Sequence, residues 1–365
     1  MSRPHLALFF KDFAAWIRSS CVGLHVAGFT TAKALRAHGV DVSVFPVRHN
    51  VDLVHAIDSY NETHDEPLTH VVISAPWLST FDLKTVIENW PNIKFVILSH
   101  SNVGFLQADP GGVALLRSYV ELASWHSNLQ VGGNSRRFAE WLGYAYDSET
   151  VWLPNVYPFE SCEMKKWNGG VIKIGAFGAV RPEKNFMTAA AAAVAVRKHF
   201  GVPIEFHMSA GGEGDHGLTA PAIEQMCADL DGVTLIRHAW ESWDKFIEIV
   251  GGMDLLFQLS YTESFNMVTA DGISRGVPSV VSSAIAWAPE CWKADADDVM
   301  QAARVGIHLL TSERSRRTGF DALHQHNKTA VAEWLKWLGL SCAHHDENII
   351  YEMLRAAFTP FTARF

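Results

Sequence analysis

Residues 260–282 read SYTESFNMVTADGISRGVPSVVS, and this stretch determines the fold that the sequence predicts. An apolar run from Met253 to Leu259 precedes it, which indicates a buried strand. A helix is predicted from Asn266 to Arg275, and a second strand at Ser279 to Ser282 follows a Gly-Val-Pro turn. A strand, a helix and a second strand make the βαβ unit from which open parallel sheets are built.

Two carboxylates and a helix start lie together in this stretch. Glu263 stands just before the predicted helix, and Asp271 follows eight residues later, about two turns into it. The first turn of a helix has backbone N–H groups without helix partners, and such groups bind anions. The arrangement predicts a site for a nucleotide-sugar, with one acid for the hydroxyl groups on each side of the diphosphate. The residues whose N–H groups surround the helix start are Ser264, Phe265, Asn266 and Met267.

The same stretch resembles the Glu-x7-Glu signature of retaining glycosyltransferases with the GT-B fold, in particular those of family 4. The resemblance implies that Glu263 contacts the donor sugar, that Asp271 binds the ribose, and that residues 264–267 bind the diphosphate. Asp271 stands where the family usually has a second glutamate, and an aspartate has a shorter reach. Asn266 stands where the family usually has a glycine, which bears on the close approach of backbone to phosphate.

A second motif lies at residues 174–185, which read IGAFGAVRPEKN. It predicts a strand that enters a glycine-containing turn, with a helix after it. It resembles the strand-Gly-Arg-Leu-x-x-x-Lys loop of the same family, whose two cations bind the donor diphosphate. The resemblance implies that Lys184 binds the diphosphate beside Gly178. Ala179 occupies the family's arginine position, so either Arg181, two residues later, takes over that contact or one of the two cations is missing. A leaving nucleoside diphosphate needs such positive charge as the glycosidic bond breaks.

The first half of the chain resembles the family more loosely. Gly23 and Leu24 precede a predicted helix and resemble the acceptor-binding loop after the first strand. His100 follows a predicted short strand, at the place where the family has a histidine close to the reacting sugar, and Asn102 follows soon after. The resemblance implies a catalytic role for His100 beside the donor motif, and acceptor contacts for Gly23, Leu24 and Asn102.

Residues 212–217 read GEGDHG and match the GxGxxG pattern of dinucleotide-binding proteins. A dehydrogenase would need a helix to begin at once and an acid at the end of the next strand. Pro221 delays the helix, and Asp229 and Asp231 precede the next predicted strand rather than follow it. The pattern therefore does not favour a dehydrogenase. Gly212 is instead predicted to border the donor site, where glycine allows a close approach of the backbone.

Length and patterning predict two domains. With 365 residues, of which 48% are hydrophobic, the chain can form two cores at roughly 150 residues per domain. Because predicted strands and helices alternate, the fold class is expected to be α/β. The resemblance implies the GT-B arrangement, in which two Rossmann-like domains face each other across a cleft. Residues 1–160 are expected to bind the acceptor, residues 170–335 to bind the donor, and residues 336–365 to be helices that return toward the first domain.

Composition limits the partners and the setting of the protein. The formal charge of −9 does not favour nonspecific electrostatic binding of nucleic acid or of an anionic membrane to the protein surface. No apolar run approaches the ~20 residues that span a bilayer. Five scattered cysteines without a CxxC pair favour a reducing, cytoplasmic setting. The sequence shows no metal-binding constellation, and no cofactor is expected, because GT-B enzymes generally do not need a metal bound by a DxD motif.

These features together predict a retaining, metal-independent glycosyltransferase of the hexosyltransferase type. Its co-substrate would be a nucleotide-diphosphate sugar of UDP or GDP, and its acceptor a hydroxyl of a saccharide, a lipid-linked molecule or a small molecule. Alternatives remain open. One is a DNA-modifying glucosyltransferase that acts on hydroxymethylated bases. The others are a nucleotide-sugar epimerase and a non-catalytic sugar-nucleotide-binding subunit of the same fold.

Overall fold

The structure, a computed structural model, describes residues 3–12, 22–75, 77–107, 109–160, 162–210 and 218–340. Within these ranges the backbone forms two parallel sheets, one in each half of the chain. Each sheet separates two hydrophobic cores, because helices pack against both of its faces. The predicted α/β class with two Rossmann-like units is confirmed.

The first unit carries six strands among the described residues. They are β1 (His5–Lys11), β2 (Asp41–Val47), β3 (His70–Ser74), β4 (Lys94–Ser99), β5 (Leu129–Gly133) and β6 (Thr150–Trp152). Their order in the sheet is β2-β1-β3-β4-β5-β6, with every neighbouring pair parallel. The intervening helices are α1 (Val22–Ala37), α2 (Asn50–Thr63), α3 (Thr80–Asn89), α4 (Val103–Leu106), α5 (Pro110–Trp125) and α6 (Arg136–Tyr146).

Strand β3 shows why short apolar runs became central strands. All its residues are buried, and its side chains alternate between two cores: Val71 and Ile73 pack in one, and Val72 packs in the other. A strand that is covered on both faces has a continuous apolar sequence rather than an alternating one.

The second unit carries five strands among the described residues. They are β7 (Ile172–Ala176), β8 (Ile204–Ser209), β9 (Val233–His238), β10 (Leu255–Gln258) and β11 (Ser279–Val281). Their order is β11-β10-β7-β8-β9, again parallel throughout. The helices are α7 (Phe186–Phe200), α8 (Thr219–Cys227), α9 (Trp243–Gly251), α10 (Met267–Ser274), α11 (Val299–Thr311) and α12 (Glu313–Trp337).

Helix α12 links the two units. Phe320 and Leu323, near its start, pack in the main core of the second unit, whereas Trp334 and Leu335, near its end, pack in a core of the first unit. The predicted return of a C-terminal helix to the first unit is confirmed, but the helix begins at Glu313, ahead of the predicted returning segment of residues 336–365. Residues 341–365, which include most of the predicted returning segment, lie outside the described residues.

The same helix holds the chain where it passes between the units. Trp334 Nε1 donates to the carbonyl of Pro154 over 2.8 Å. Asn327 exchanges two hydrogen bonds with the backbone of Tyr157, at 2.9 and 2.7 Å. These bonds fix Tyr157, whose side chain is buried. Among the described residues, no helix is both long and apolar enough to cross a membrane.

Candidate functional site

A cavity of about 310 Å³ lies between the two units. It is next to the carboxyl ends of the strands, since His100 follows β4, His238 ends β9 and Gln258 ends β10. Ligands of open parallel sheets bind at that edge. Asn102 does not line the cavity, and Gly212 lies outside the described residues. The residues that the sequence predicted for the site and that line the cavity are Gly23, Leu24, His100, Gly178, Arg181, Lys184, Glu263, Ser264, Phe265, Asn266, Met267 and Asp271.

An ion pair joins the two sequence motifs in the cavity wall. Lys184 Nζ lies 2.6 Å from Glu263 Oε1, and the two side chains are 26% and 7% exposed. The same oxygen also accepts hydrogen bonds from Ser260 Oγ, at 2.7 Å, and from Asn266 Nδ2, at 2.8 Å. Glu263 is thus held as a buried, well-paired carboxylate, and its Oε2 has no donor among the described residues.

The loop that carries Lys184 is fixed by its neighbour Asn185. A short 3-10 turn, Pro182–Lys184, ends at Asn185, whose φ of 56° is left-handed. The Asn185 side chain donates to the carbonyls of Leu259, at 3.1 Å, and Ala296, at 2.7 Å. Because Leu259 directly follows β10, these bonds place the lysine loop beside the loop that carries Glu263.

Asn266 has a backbone conformation that is more typical of glycine. Its φ is 68°, in the left-handed region that Asn adopts more readily than most other non-glycine residues. It is the N-cap of α10, and its Oδ1 accepts from Thr269 N at 2.8 Å. The helix therefore begins at Met267, one residue later than predicted. The cap leaves the N–H groups of Met267 and Val268 without helix partners.

Asp271 lies in α10 and is 2% exposed. Its Oδ1 accepts hydrogen bonds from the Tyr157 hydroxyl, at 2.6 Å, and from Trp243 Nε1, at 3.2 Å. Burial raises the pKa of Asp271 to about 6, although these two bonds and the charge of Arg275 act in the opposite direction. Sequence reasoning missed Tyr157 and Trp243, which come from the chain between the units and from the start of α9. Since both donors use Oδ1, the second carboxylate oxygen remains for a ligand.

His100 is held by hydrogen bonds at both ring nitrogens. Nε2 lies 2.7 Å from Ser74 Oγ, and Nδ1 lies 3.2 Å from Asn134 Nδ2. Burial lowers the pKa of His100 to about 4, so the ring is neutral near pH 7. Asn134 Nδ2 also lies 3.2 Å from Ser264 Oγ, in the second unit. Asn134 Oδ1, in contrast, is buried without a partner among the described residues.

Asn102 lies where the two units touch. Its Oδ1 caps α4 by accepting from Phe105 N, at 2.8 Å, and also accepts from Thr262 Oγ1, at 2.5 Å. Gly104 is so close to Thr262 that an added Cβ would lie 2.9 Å from the threonine Cβ. The Arg181 guanidinium lies over the ring of Phe105, 5.2 Å from its centre. The predicted acceptor contact of Asn102 therefore has no support in the cavity lining, and α4 instead packs against the loop before Glu263.

One side of the cavity is aromatic. We call the group Phe177, Trp240, Trp243 and Phe246 the aromatic lobe; all four residues line the cavity. Phe177 and Phe246 pack edge to face, with ring centres 5.5 Å apart. Trp240 Nε1 is buried and has no hydrogen-bond partner among the described residues. No local motif predicted this lobe, because its residues come from separate segments of the chain.

The cavity thus joins an aromatic lobe, a carboxylate beside it, a lysine and a free helix start. Such a set of groups can bind a ligand that has an aromatic end, hydroxyl groups and an anionic centre. Among the described residues, no three His, Cys, Asp or Glu side chains converge into a group that could hold a metal ion.

Comparison with known proteins finds similarity in structure alone. No protein-family model matches the chain, and no curated protein matches it. The chain is similar to a sucrose-phosphate synthase from Thermosynechococcus elongatus, with 13% identity, a TM-score of 0.61, and coverage of 97% of this chain and 100% of that one. It is similar to a UDP-forming α,α-trehalose-phosphate synthase from Burkholderia vietnamiensis, with 9% identity, a TM-score of 0.57, and coverage of 99% of both chains.

A glycosyltransferase from Rickettsia africae is also similar, with 13% identity, a TM-score of 0.56, and coverage of 92% of this chain and 100% of that one. At these identities the likeness concerns the fold. The similarity extends over both units and the connection between them, and it agrees with the two facing sheets and the returning helix α12. The chain therefore has the GT-B fold of glycosyltransferases.

Proposed function

We propose that the protein is a retaining, metal-independent glycosyltransferase that moves a sugar from a nucleotide diphosphate to an acceptor hydroxyl. The observation that carries the proposal is that Lys184, Glu263, Asp271 and the start of α10 all border one cavity between the two units. The GT-B fold of the chain supports the proposal, because the similar structures include sugar-phosphate synthases of this fold.

The diphosphate binds between Lys184 and the N–H groups of Met267 and Val268. Lysine supplies a full positive charge, and the helix start supplies N–H donors together with the positive end of the helix dipole. Arg181 lines the same cavity and adds a second cation. These groups stabilise the charge that develops on the leaving phosphate, which is the role that a metal ion has in other transferases.

The two acids hold the hydroxyl groups on either side of the diphosphate. Glu263 uses its free Oε2 for the transferred sugar, while Lys184, Ser260 and Asn266 hold Oε1. Asp271 uses its free Oδ2 for the ribose, while Tyr157 holds Oδ1. In each case the protein binds one carboxylate oxygen and thereby fixes the direction of the other.

Transfer proceeds with retention of configuration. The acceptor oxygen forms a bond to the anomeric carbon on the face from which the diphosphate leaves, as the bond from that carbon to the phosphate oxygen breaks. The acceptor proton passes to the leaving phosphate oxygen. No side-chain nucleophile is needed. His100 is neutral and hydrogen-bonded at both nitrogens, so it shapes the sugar-binding wall rather than exchanging a proton.

The acceptor is a hydroxyl of a saccharide, a lipid-linked molecule or a small molecule, which approaches along the first unit past Gly23 and Leu24. The net charge of −9 does not favour DNA as the acceptor. Closure of the two units around the donor excludes water, which limits hydrolysis. The cysteine content favours a cytoplasmic setting.

The proposal is tested with purified protein and a panel of UDP-, GDP-, ADP- and TDP-sugars, with and without pooled acceptors and with and without EDTA. Release of nucleoside diphosphate is measured, and NMR of the product gives the configuration at the anomeric carbon. We expect release that survives EDTA, retained configuration, and loss of transfer in Glu263→Gln. Lys84→Met, at an exposed ion pair on α3, is the matched control and should transfer normally. Inverted configuration, or full transfer by Glu263→Gln, contradicts the proposal.

A further inference from the structure

Three polar side chains form a hydrogen-bonded chain that runs along one face of the second sheet to the cavity. Glu205 Oε2 lies 3.2 Å from His207 Nε2, and His207 Nδ1 lies 2.8 Å from His238 Nε2. The two imidazoles are stacked, with centres 5.1 Å apart and planes 16° apart. His207 is 6% exposed, whereas His238 lines the cavity. We call Glu205, His207 and His238 the histidine chain.

The proton positions in the histidine chain follow from its charges. Glu205 has Lys173 Nζ 3.5 Å away, so it is a carboxylate and can only accept hydrogen bonds. His207 Nε2 must therefore carry the proton that it donates to Glu205. Burial lowers the pKa of His207 and that of His238, so both rings are neutral near pH 7.

A neutral imidazole has one N–H and one bare nitrogen. Since His207 carries its proton on Nε2, its Nδ1 accepts, and the proton in the 2.8 Å bond belongs to His238 Nε2. The Nδ1 of His238 is then bare. Among the described residues no hydrogen bond to this nitrogen is formed, and Lys173, whose charge acts on His207, pairs with Glu205 at the other end of the histidine chain.

The His238 ring lies beside the aromatic lobe. His238 packs edge to face on Phe177, with centres 5.9 Å apart. Trp240, two residues further along, has its buried Nε1–H without a partner among the described residues. Trp243 donates to Asp271, the acid proposed to bind the ribose, which places the lobe next to the ribose position. The lobe therefore offers apolar faces, one hydrogen-bond acceptor and one donor to a flat ligand.

We infer that His238 recognises an N–H group of the donor's nucleobase through its bare Nδ1, and that Glu205 and His207 are positioning residues that fix this proton arrangement. The inference rests on the proposed function, because the base is the aromatic end of a nucleotide-sugar. The bases of nucleotide-sugars carry an N–H donor next to an acceptor atom, which matches His238 Nδ1 and Trp240 Nε1–H. A ligand without such an edge, such as a sugar phosphate, leaves both groups unpaired.

The first experiment measures the proton arrangement itself. In ¹⁵N NMR of the histidine rings near pH 7, the His238 signals are identified by their loss in His238→Gln. We expect a proton on Nε2 and a bare Nδ1 in the native protein, and a mixture of both forms in His207→Phe, which removes the acceptor but keeps a flat ring. A proton on Nδ1 of His238 in the native protein overturns the inference, whatever the protein catalyses.

The second experiment measures recognition. Dissociation constants of UDP, TDP, GDP, ADP and CDP are determined by calorimetry, followed by that of the tightest ligand after methylation of its base N–H. We expect methylation to weaken binding to the native protein by about tenfold, and His207→Phe to weaken binding of the unmethylated ligand by about fivefold while changing the methylated one little. Glu205→Ala, at a side chain that is 30% exposed, should act in the same direction without disturbing the core.

The controls separate this inference from the proposed function. His199→Gln, at an exposed histidine of α7, should bind every ligand as the native protein does. If no nucleoside diphosphate binds the native protein, the proposed function fails. If one binds, but His207→Phe weakens the methylated and unmethylated ligands equally or weakens neither, the inference about His238 fails alone.

Discussion

Replacement of Tyr157 by phenylalanine perturbs Asp271 without removing any apolar surface. The Tyr157 hydroxyl donates to Asp271 Oδ1 over 2.6 Å, and the two residues are 3% and 2% exposed. The loss of a hydrogen bond to a charged group amounts to about 1.5–3 kcal/mol. One pKa unit corresponds to about 1.4 kcal/mol. The variant should therefore raise the pKa of Asp271 from about 6 to about 7–8.

The sign of the effect on stability follows from the native pKa of Asp271. Because burial raises this pKa above its ordinary value, the folded state binds the proton more tightly than the unfolded chain does. As the pH rises from the pKa of the unfolded chain to the folded value of about 6, the unfolded chain loses this proton first, so the free energy of unfolding falls over that window. In Tyr157→Phe the ionised form has lost a donor, so the loss of stability is small near pH 5 and grows to about 1.5–3 kcal/mol near pH 8.

The assay is thermal unfolding of the native protein and of Tyr157→Phe between about pH 5 and about pH 8 at constant ionic strength. The difference in melting temperature should widen by roughly 2–4 °C over this range, because a chain of 365 residues has a large entropy of unfolding. Tyr119→Phe is the matched control, because the buried Tyr119 hydroxyl donates to the neutral carbonyl of Leu78. The difference in melting temperature between Tyr119→Phe and the native protein should therefore not depend on pH. If the difference in melting temperature between Tyr157→Phe and the native protein is also independent of pH, the assigned coupling between Tyr157 and Asp271 is refuted.

Further predictions concern the ion pair, the contact between the units and the helix cap. Lys184→Met removes the cationic partner of the buried Glu263 and should lower the free energy of unfolding by about 1–3 kcal/mol. Adding Glu263→Gln to this variant should restore part of the loss. Equal denaturation midpoints of the single and double variants would contradict the assigned ion pair. Gly104→Ala should push α4 away from Thr262, raise the KM for the donor and increase the radius of gyration in small-angle scattering. An unchanged KM and an unchanged radius of gyration would show that the contact between the units does not depend on a glycine at this position. Asn266→Ala should be less stable than Asn266→Gly by about 1–2 kcal/mol, because φ is 68° there, and chemical denaturation that ranks them the other way would contradict the left-handed backbone.

The sequence contained enough information for the architecture. The short apolar run of residues 253–259 predicted a buried strand, because a strand covered on both faces needs apolar residues at most positions. It contained less about α12. Residues 313–328 of that helix are mostly polar, so the returning segment was predicted only from residue 336 onward, whereas the helix begins at Glu313.

Some residues of the candidate site could likewise be predicted from the sequence, and others could not. Glu263, Lys184 and Asp271 could be predicted because they stand in local motifs, where spacing along the chain fixes their placement beside a helix start. Tyr157 and Trp243 could not be predicted, because they reach Asp271 from distant segments, and only the tertiary fold brings them together.

Two further features of the site depend on the three-dimensional structure: the backbone conformation of Asn266 and the hydrogen bond between His207 and His238. From the sequence alone it was open whether Asn266 can stand where the resembled motif has a glycine. The structure shows a left-handed backbone at Asn266 and a side chain that caps the helix. His207 and His238 are single histidines in separate strands, and their hydrogen bond depends on the pairing of β8 with β9.

The central claim is that Lys184 and the start of α10 bind the diphosphate of a nucleotide. The most direct test is calorimetric titration of the native protein and of Lys184→Met with UDP, GDP, ADP, CDP and TDP. We predict that at least one of them binds the native protein, and that Lys184→Met binds it about 10- to 100-fold more weakly, as expected for the loss of a charged hydrogen bond. Equal affinity of the two proteins for that ligand, or no binding of any of the five, would contradict the claim.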